Sequence, residues 1–271
     1  MVYQLGRRAA LLVYAILIIV PLLVVLTGAF KTTPDLFNSP FGVPTHGTFG
    51  NFRQVLGDGG LLRALTNSAV VTFSGVVITL LVASAAAYGA ARIRGWRGWV
   101  VYGLLVVGMA IPAQANMIPQ YVLFTNLGLT NSILGLVLIE IVSSLPIAVF
   151  ILAGFMRTLP VEIFEASAID GAGPWRTFRS VVVPLSVPSL AATAIFLLVI
   201  QWNDLLYPLL FITDPNKRTL PLALLDFQGQ YLTNYPVLFS GVVVASVPMI
   251  IAYAFLQRFF IAGISAGAVK G

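Results

Sequence analysis

An acid inside an apolar run is the most chemically informative feature of this 271-residue chain. Asp204 stands there beside Trp202, Asn203 and Tyr207, which brings a carboxylate, an amide and two aromatic rings together. Aromatic rings stack on the flat apolar face of a pyranose and polar groups fix its hydroxyls, so the grouping is suited to contact a sugar. The alternative is that Asn203 and Asp204 bond to a neighbouring helix or to a partner subunit.

Two other titratable residues are weaker candidates. Glu140 lies near the middle of another apolar run. A charge at that depth is costly and is by default a functional candidate, but pairing between helices or a protonated buried acid explains it as well. His46 is the only histidine and has no cysteine partners, so it makes a poor metal site and is expected to be a solvated surface residue.

The stretch EASAIDGAGPWRTFRSVVVPL, residues 165–185, carries four charges in a chain that is only 9% charged. Pro160, Glu162 and Glu165 suit a helix N-terminus, and Gly171 followed by Gly173-Pro174 ends that helix. Its spacing predicts one face of small residues below an aromatic ring: Phe164, Ser167, Ala168, Gly171 and Ala172. A second short helix is predicted after Pro174, with one shared face formed by Trp175, Phe178, Arg179 and Val182. The alternative is a solvated linker.

The elements that hold these residues are apolar and long enough to cross a bilayer. Hydrophobic residues make up 59% of the chain, well above a soluble domain. About 20 apolar residues are needed per span, and six spans are predicted: 9–29, 68–91, 99–123, 132–155, 187–210 and 237–259. The expected fold is therefore all-α, a polytopic membrane protein forming one domain over residues 1–271. With no cysteine, the chain has no disulfide framework and no thiolate metal site.

The distribution of positive charge predicts the orientation. With the N-terminus inside, ten of the fifteen basic residues fall on the inner side, and basic residues beside apolar spans mark the cytoplasmic face. Both termini are then cytoplasmic, as is the loop 156–186, and the net charge of +6 needs no nucleic acid to explain it. The rival interpretation of Arg7-Arg8 and the run after them is a cleaved signal peptide, but the run is long and lacks a clear A-x-A site.

Polar residues interrupt the third predicted span. Gln114 and Asn116 lie between Pro112 and Pro119. A broken backbone at membrane depth is tolerated where protein or water satisfies its polar groups, so the break either lines a hydrated space or is a packed kink. Sequence patterns for other chemistry are missing: the chain has neither the phosphate-cradling G-x-x-x-x-G-K-[ST] nor the metalloprotease H-E-x-x-H.

The loop resembles the EAA signature of permease subunits of bacterial ABC importers. Glu165-Ala166-Ser167, Gly171 and Val181-Val182-Val183-Pro184 follow its spacing, with conservative departures at Ser167, Val181 and Val183. The chain is similar to the carbohydrate, maltose-type branch, and its ending is typical of the shorter of two paired permeases. That further resemblance rests on Trp202-Asn203-Asp204, Arg218-Thr219-Leu220-Pro221, Gln257-Arg258-Phe259-Phe260 and Gly263 to Gly271.

The resemblance implies a non-catalytic subunit that forms a translocation pathway for a sugar, polyol or oligosaccharide in the bacterial inner membrane. The implied partners are a second permease, an ATPase dimer that uses ATP and Mg²⁺, an extracytoplasmic substrate-binding protein and membrane lipid, with no nucleic acid. The chain itself is expected to bind no cofactor and no metal. The residues implied to couple it to the ATPase are Glu165, Ala166, Ser167, Asp170, Gly171, Ala172 and Pro184. The pathway residues are Trp202, Asn203, Asp204 and Tyr207, and a leucine at Gly171 is expected to block docking.

The alternative function is an ion-coupled secondary transporter that uses Glu140 or Asp204 as a proton relay. Such a protein needs no ATPase and transports as a lone chain. A stoichiometric complex with an ATPase distinguishes the two functions.

Overall fold

The computed structural model describes residues 2–44, 47–57, 59–93, 95–227 and 233–268, with side chains for all of these except 2, 5 and 258–268. His46 and the last three residues of the chain lie outside the described residues, so the predictions made for them stay predictions. Within the described part the secondary structure is helical and contains no strand. The predicted all-α class is confirmed.

Fourteen α-helices occur in the described residues. They are α1 (Val2–Gly28), α2 (Thr33–Asn38), α3 (Gly50–Gly57), α4 (Gly60–Arg92), α5 (Trp96–Val106), α6 (Met117–Asn126), α7 (Ile133–Met156), α8 (Val161–Ile169), α9 (Pro174–Thr177), α10 (Val183–Leu185), α11 (Val187–Trp202), α12 (Leu206–Phe211), α13 (Leu220–Leu224) and α14 (Tyr235–Ala268).

Four continuous helices are long and apolar enough to cross a membrane: Gly6–Gly28, Gly60–Arg92, Ile133–Met156 and Tyr235–Gln257. Two helix pairs meet the same test but are bent, by 89° between Trp96–Ala110 and Ala113–Asn126 and by 74° between Pro174–Leu185 and Val187–Trp202. Counting each bent pair as one span gives six, the predicted number, although the second pair includes residues of the predicted loop 156–186 and ends at Trp202.

The fifth predicted span, 187–210, is wrong as a continuous helix. Helix α11 ends at Trp202, and α12 begins at Leu206. The break is stabilised by Asp204, whose carboxylate accepts hydrogen bonds from the backbone N–H groups of Leu206 and Tyr207 at 3.2 and 3.1 Å. An acid in that position caps a new helix and offers the backbone an alternative to continuing the old one.

The third span is broken as predicted. Helix α5 runs into a 3₁₀ turn at Val107–Ala110, and a second 3₁₀ turn, Ala113–Asn116, leads into α6. Between the two turns, Pro112 has a φ of −57° and a ψ of 134°. That extended geometry interrupts the helix where the chain bends by 89°, and the missing N–H of proline removes one helical hydrogen bond there.

The chain groups into two compact units, Met1–Leu65 with Thr219–Pro248 and Thr66–Arg218 with Met249–Gly271. The prediction of a single domain over residues 1–271 stays a prediction. In the first unit, buried Lys31 donates hydrogen bonds to the carbonyls of Ser39 and Pro40 at 2.7 and 3.3 Å. These bonds fix the segment after α2 to the end of α1.

The second unit has a core of small and branched residues. Ala83 and Ala87 of α4 meet Ala148 and Leu152 of α7, and all four side chains are fully buried. Small residues let helix backbones approach closely in a membrane, where packing rather than the hydrophobic effect drives association. The rest of the buried cluster is Val76, Val149, Ala153, Met156, Phe178, Val182, Leu197 and Leu198. Phe178 and Val182 join the predicted cytoplasmic loop to this core.

Candidate functional site

The loop between α7 and α11 forms two helical segments, as the sequence predicts. Helix α8 begins directly after Pro160 and has Glu162 in its first turn. It ends in a Schellman motif, in which Gly171 donates to the Ala168 carbonyl and Ala172 to the Ser167 carbonyl, both at 3.0 Å. Gly171 has a φ of +69°, a left-handed conformation that glycine adopts without strain. The primary role of Gly171 in the structure is therefore to end the helix.

The predicted small-residue face of α8 is not exposed as a whole. Ser167 is buried, and its hydroxyl lies 2.7 Å from the hydroxyl of Thr177 in α9. Phe164 packs against the core of the second unit and has the Arg92 guanidinium 4.5 Å above its ring. Only Ala168 and Gly171 of the five residues are exposed, because the helix must turn part of that face inward to attach to the protein.

The exposed surface of α8 combines acids with apolar groups. Glu165, Ala166, Ala168 and Asp170 are exposed, and Ile169 is 87% exposed. Ile169 was missed as a candidate, although it lies four residues after Glu165 and so on the same side of the helix. An apolar side chain exposed to that degree at the end of a short helix is suited to burial against a partner.

Pro184 acts through the backbone of the second segment. Residues Phe178–Val182 form a π-helical turn between α9 and α10, in which the Val183 N–H reaches the Phe178 carbonyl. Proline has no N–H for the carbonyl four residues before it, which favours this wider turn. Of the predicted second face, Phe178 and Val182 are buried and Trp175 and Arg179 are exposed.

A groove of about 440 Å³ lies between α8 and the segment that follows it. Asp170 and Arg176 stand on its walls and supply charges of opposite sign. Its remaining lining residues are Ile163, Ala166, Ser167, Ala172, Ser180 and Val181. Four of the predicted coupling residues, Ala166, Ser167, Asp170 and Ala172, therefore line one concave surface.

The four predicted pathway residues do not converge on one surface. Trp202 is buried, and the exposed Asn203 donates its side-chain amide to the Val199 carbonyl of its own helix at 2.8 Å. Asp204 caps α12, as described above, and its carboxyl group lies within interaction distance of that of Glu140 in α7. The structure thus places the two intramembrane acids together, which sequence spacing did not predict.

Tyr207 lines a cavity. The cavity measures about 350 Å³ and lies between the broken third span and α7. Its polar groups come from Asn116, Gln120, Ser143 and Tyr207. The Ser143 hydroxyl donates to the Tyr207 hydroxyl at 2.8 Å and fixes the tyrosine on the cavity wall. The interrupted third span therefore lines a cavity whose largely apolar wall carries four polar side chains, and the predicted hydration of that space stays a prediction.

Gln201 is a buried polar residue that sequence reasoning missed. Its amide nitrogen donates to the Ser144 hydroxyl at 3.0 Å, while its carbonyl oxygen has no hydrogen-bond partner among the described residues. A Cβ built on Gly75 would lie 2.6 Å from that oxygen, so glycine leaves room for the glutamine between α4 and α11. The signal for Gln201 was available: it directly precedes the Trp202-Asn203-Asp204 grouping.

Comparison with known proteins identifies the family. Residues 75–266 match a protein family described as the binding-protein-dependent transport system inner membrane component. The chain belongs to this family. It is 36% identical to the multiple sugar-binding transport system permease protein of Streptococcus mutans, over 97% of this chain and 96% of that protein. It is 33% identical to a diacetylchitobiose uptake system permease protein of Streptomyces coelicolor, over 97% of this chain and 88% of that protein.

The fold is that of a solved importer. A crystal structure of a bacterial ABC transporter involved in import of the acidic polysaccharide alginate contains a chain with a TM-score of 0.85, at 19% identity over 96% of both chains. A second structure, of an alginate transporter with a pentasaccharide-bound periplasmic protein, gives a TM-score of 0.72 at 12% identity over 94% and 93% of the chains. The family and the fold together establish a multi-pass inner-membrane transport component.

Proposed function

We propose that the chain is a permease subunit of an ATP-driven importer for a sugar, a polyol or an oligosaccharide. The observation that carries the proposal is the short helix α8, which leaves Glu165, Ala168 and Ile169 exposed while Ser167 and Phe164 anchor it to the protein. A surface element held in this way can receive a push from a partner and pass it to the helices behind it. Sequence similarity to permeases of named sugar uptake systems supports the substrate class.

The partner at α8 is an ATPase dimer. Glu165 and Asp170 offer charge-assisted hydrogen bonds to it, and Ile169 offers apolar area. ATP and Mg²⁺ are used by that partner, and this chain is non-catalytic. Gly171, Ala172 and Pro184 contribute by shaping the backbone around the docking surface, and Ala166 and Ser167 line the groove beside it.

Substrate moves along a pathway formed with a second permease. The cavity walled by Asn116, Gln120, Ser143 and Tyr207 is this chain's part of that pathway. An extracytoplasmic binding protein delivers the substrate; among the solved relatives in fold, one alginate transporter is in complex with such a periplasmic protein. The secondary transporter is not favoured, because Asp204 is occupied as a helix cap and the chain belongs to a binding-protein-dependent family.

Purification tests the proposal directly. The tagged chain, expressed with the second permease and the ATPase from its own transport system, is expected to retain both in a fixed ratio and to support ATP-dependent sugar uptake in proteoliposomes. Ion-gradient-driven uptake by the chain alone, without ATP, would establish the secondary transporter instead.

A further inference from the structure

Two arginines at the ends of neighbouring spans carry charges that no carboxylate neutralises in the described residues. Arg92 occupies the last turn of α4, and Arg157 directly follows α7. Neither has a carboxylate within ion-pair distance in the part of the chain that the structure describes. Both stack on aromatic rings instead: Arg92 on Phe164 at 4.5 Å, and Arg157 on Tyr102 and Trp99 at 4.1 and 4.3 Å.

The two arginines share a cavity. It measures about 190 Å³ and is open to the outside, and Arg92, Arg157 and Tyr88 supply polar groups to its wall. One water molecule takes about 30 Å³ of liquid volume, so this space has room for a tetrahedral anionic group. Stacking on the rings holds the guanidinium groups in place while their N–H groups remain available to an anion.

Aromatic residues place the cavity at a membrane boundary. Trp96 and Trp99, at the start of α5, are 72% and 66% exposed. Tryptophan is enriched where the hydrocarbon meets the headgroups, and the two arginines end the apolar helices α4 and α7. Basic pockets between membrane helices on the cytoplasmic side are suited to anionic lipid headgroups.

We propose that this cavity binds the phosphate headgroup of an anionic phospholipid from the cytoplasmic leaflet. The leaflet rests on the proposed function, in which an ATPase contacts α8, and on the orientation that the basic residues predict. The headgroup chemistry follows from the cavity itself. Val161 and Phe164 of α8 also line the cavity, so the bound headgroup contacts the helix that carries the docking surface. Anionic lipid then supports the position of α8 and couples the membrane composition to transport.

The test is lipid retention by the intact assembly of this chain with its partner subunits, in nanodiscs of equal parts phosphatidylcholine and phosphatidylglycerol. Native mass spectrometry counts the phosphatidylglycerol that stays bound. The double variant Arg92→Gln/Arg157→Gln is expected to lose its preference for phosphatidylglycerol by about tenfold, because it removes both guanidinium groups that line the cavity. The matched control is Arg7→Gln/Arg8→Gln, which removes the same charge from two exposed positions in α1 and should keep the preference.

A charge-conserving variant guards against simple misfolding. Arg92→Lys/Arg157→Lys is expected to retain most of the phosphatidylglycerol that the glutamine variant loses. Equal loss in the control and cavity variants would overturn the site. Displacement of phosphatidylglycerol by inorganic phosphate would show that the cavity binds a free anion. Loss of the ATPase with unchanged lipid retention would show that the cavity binds an acidic segment of the ATPase. Either result would contradict the proposal that the cavity binds a lipid headgroup. Lipid retention is measured without transport. A failure of the lipid proposal can therefore be distinguished from a failure of the proposed function.

Discussion

The Ser167 hydroxyl lies 2.7 Å from the Thr177 hydroxyl, and both residues are buried. This hydrogen bond joins α8 to the segment that carries Phe178 and Val182 into the core. It is a polar contact that attaches α8 to the second unit.

Removing one of these two hydroxyls should destabilise the protein more than removing both. Ser167→Ala leaves the Thr177 hydroxyl buried without its partner, which is expected to destabilise the protein by about 1 to 3 kcal/mol. Adding Thr177→Val restores an apolar pair and should recover much of that loss. Thermal unfolding of the detergent-solubilised assembly measures both effects. If the two substitutions are additive, the hydroxyls do not act as a pair.

Gly171 should be sensitive to any side chain with a β-carbon, whatever its size. Its left-handed conformation costs other L-residues about 1 to 2 kcal/mol, while a Cβ there would meet no atom within 4 Å. The expected block of docking by a leucine at Gly171 stays a prediction, but this substitution changes backbone strain and docking together. Gly171→Asn should be tolerated better than Gly171→Ala, since asparagine visits this conformation more readily. Equal effects of alanine and asparagine on thermal stability would refute a capping role.

Ala168 gives a cleaner test of docking. Ala168→Leu adds bulk on the exposed face of α8 without backbone strain, and overpacking a fitted interface costs about 1 to 3 kcal/mol. A loss of binding free energy in the middle of that range weakens ATPase association by about tenfold or more. ATPase co-purification at equal membrane abundance measures it, and the matched control is Ala85→Leu at an exposed position of α4. A normal ATPase complement in Ala168→Leu would show that this face does not dock.

The cavity between the third span and α7 should be accessible to water during transport. Because the chain has no cysteine, Ser143→Cys introduces a single thiol on the cavity wall. It is expected to react with a small polar thiol reagent. Leu81→Cys should react far more slowly, because Leu81 is a 66% exposed side chain on the apolar surface of α4. Protection of Ser143→Cys in every transport state would show that the cavity is not part of the pathway.

Both chain ends should lie in the cytoplasm, since basic residues are concentrated on that side of the predicted spans. Reporter domains that are active on only one side of the membrane, fused after Gly271, measure this orientation. A periplasmic C-terminus would also place Arg92 and Arg157 on the outer side.

The sequence predicted most of the fold because long apolar runs and prolines act locally. Pro160 and Gly171 marked the ends of α8, and Pro112 marked the break in the third span. The break after Trp202 was missed, since it depends on Asp204 accepting backbone N–H groups instead of projecting its carboxylate into a pathway. Periodicity alone likewise could not tell which side of α8 faces inward.

Contacts between distant parts of the chain account for the rest of what was missed. The proximity of Glu140 and Asp204, and the bond from Ser143 to Tyr207, join residues more than sixty positions apart. Such pairings arise when α7 packs against α11 and α12, and no local pattern encodes them. The positions of the predicted coupling residues were easier to anticipate, because they lie in one continuous stretch.

The short length of α8 determines what kind of motion it can transmit. A nine-residue helix is about 13 Å long, so turning it by about 10° about Ser167 moves its far end by less than about 2 Å. Its lever arm is too short for rotation to produce a large displacement. Under the proposed function, a force applied at Ala168 or Ile169 would therefore act next to Ser167, where α8 is attached to the buried segment behind it.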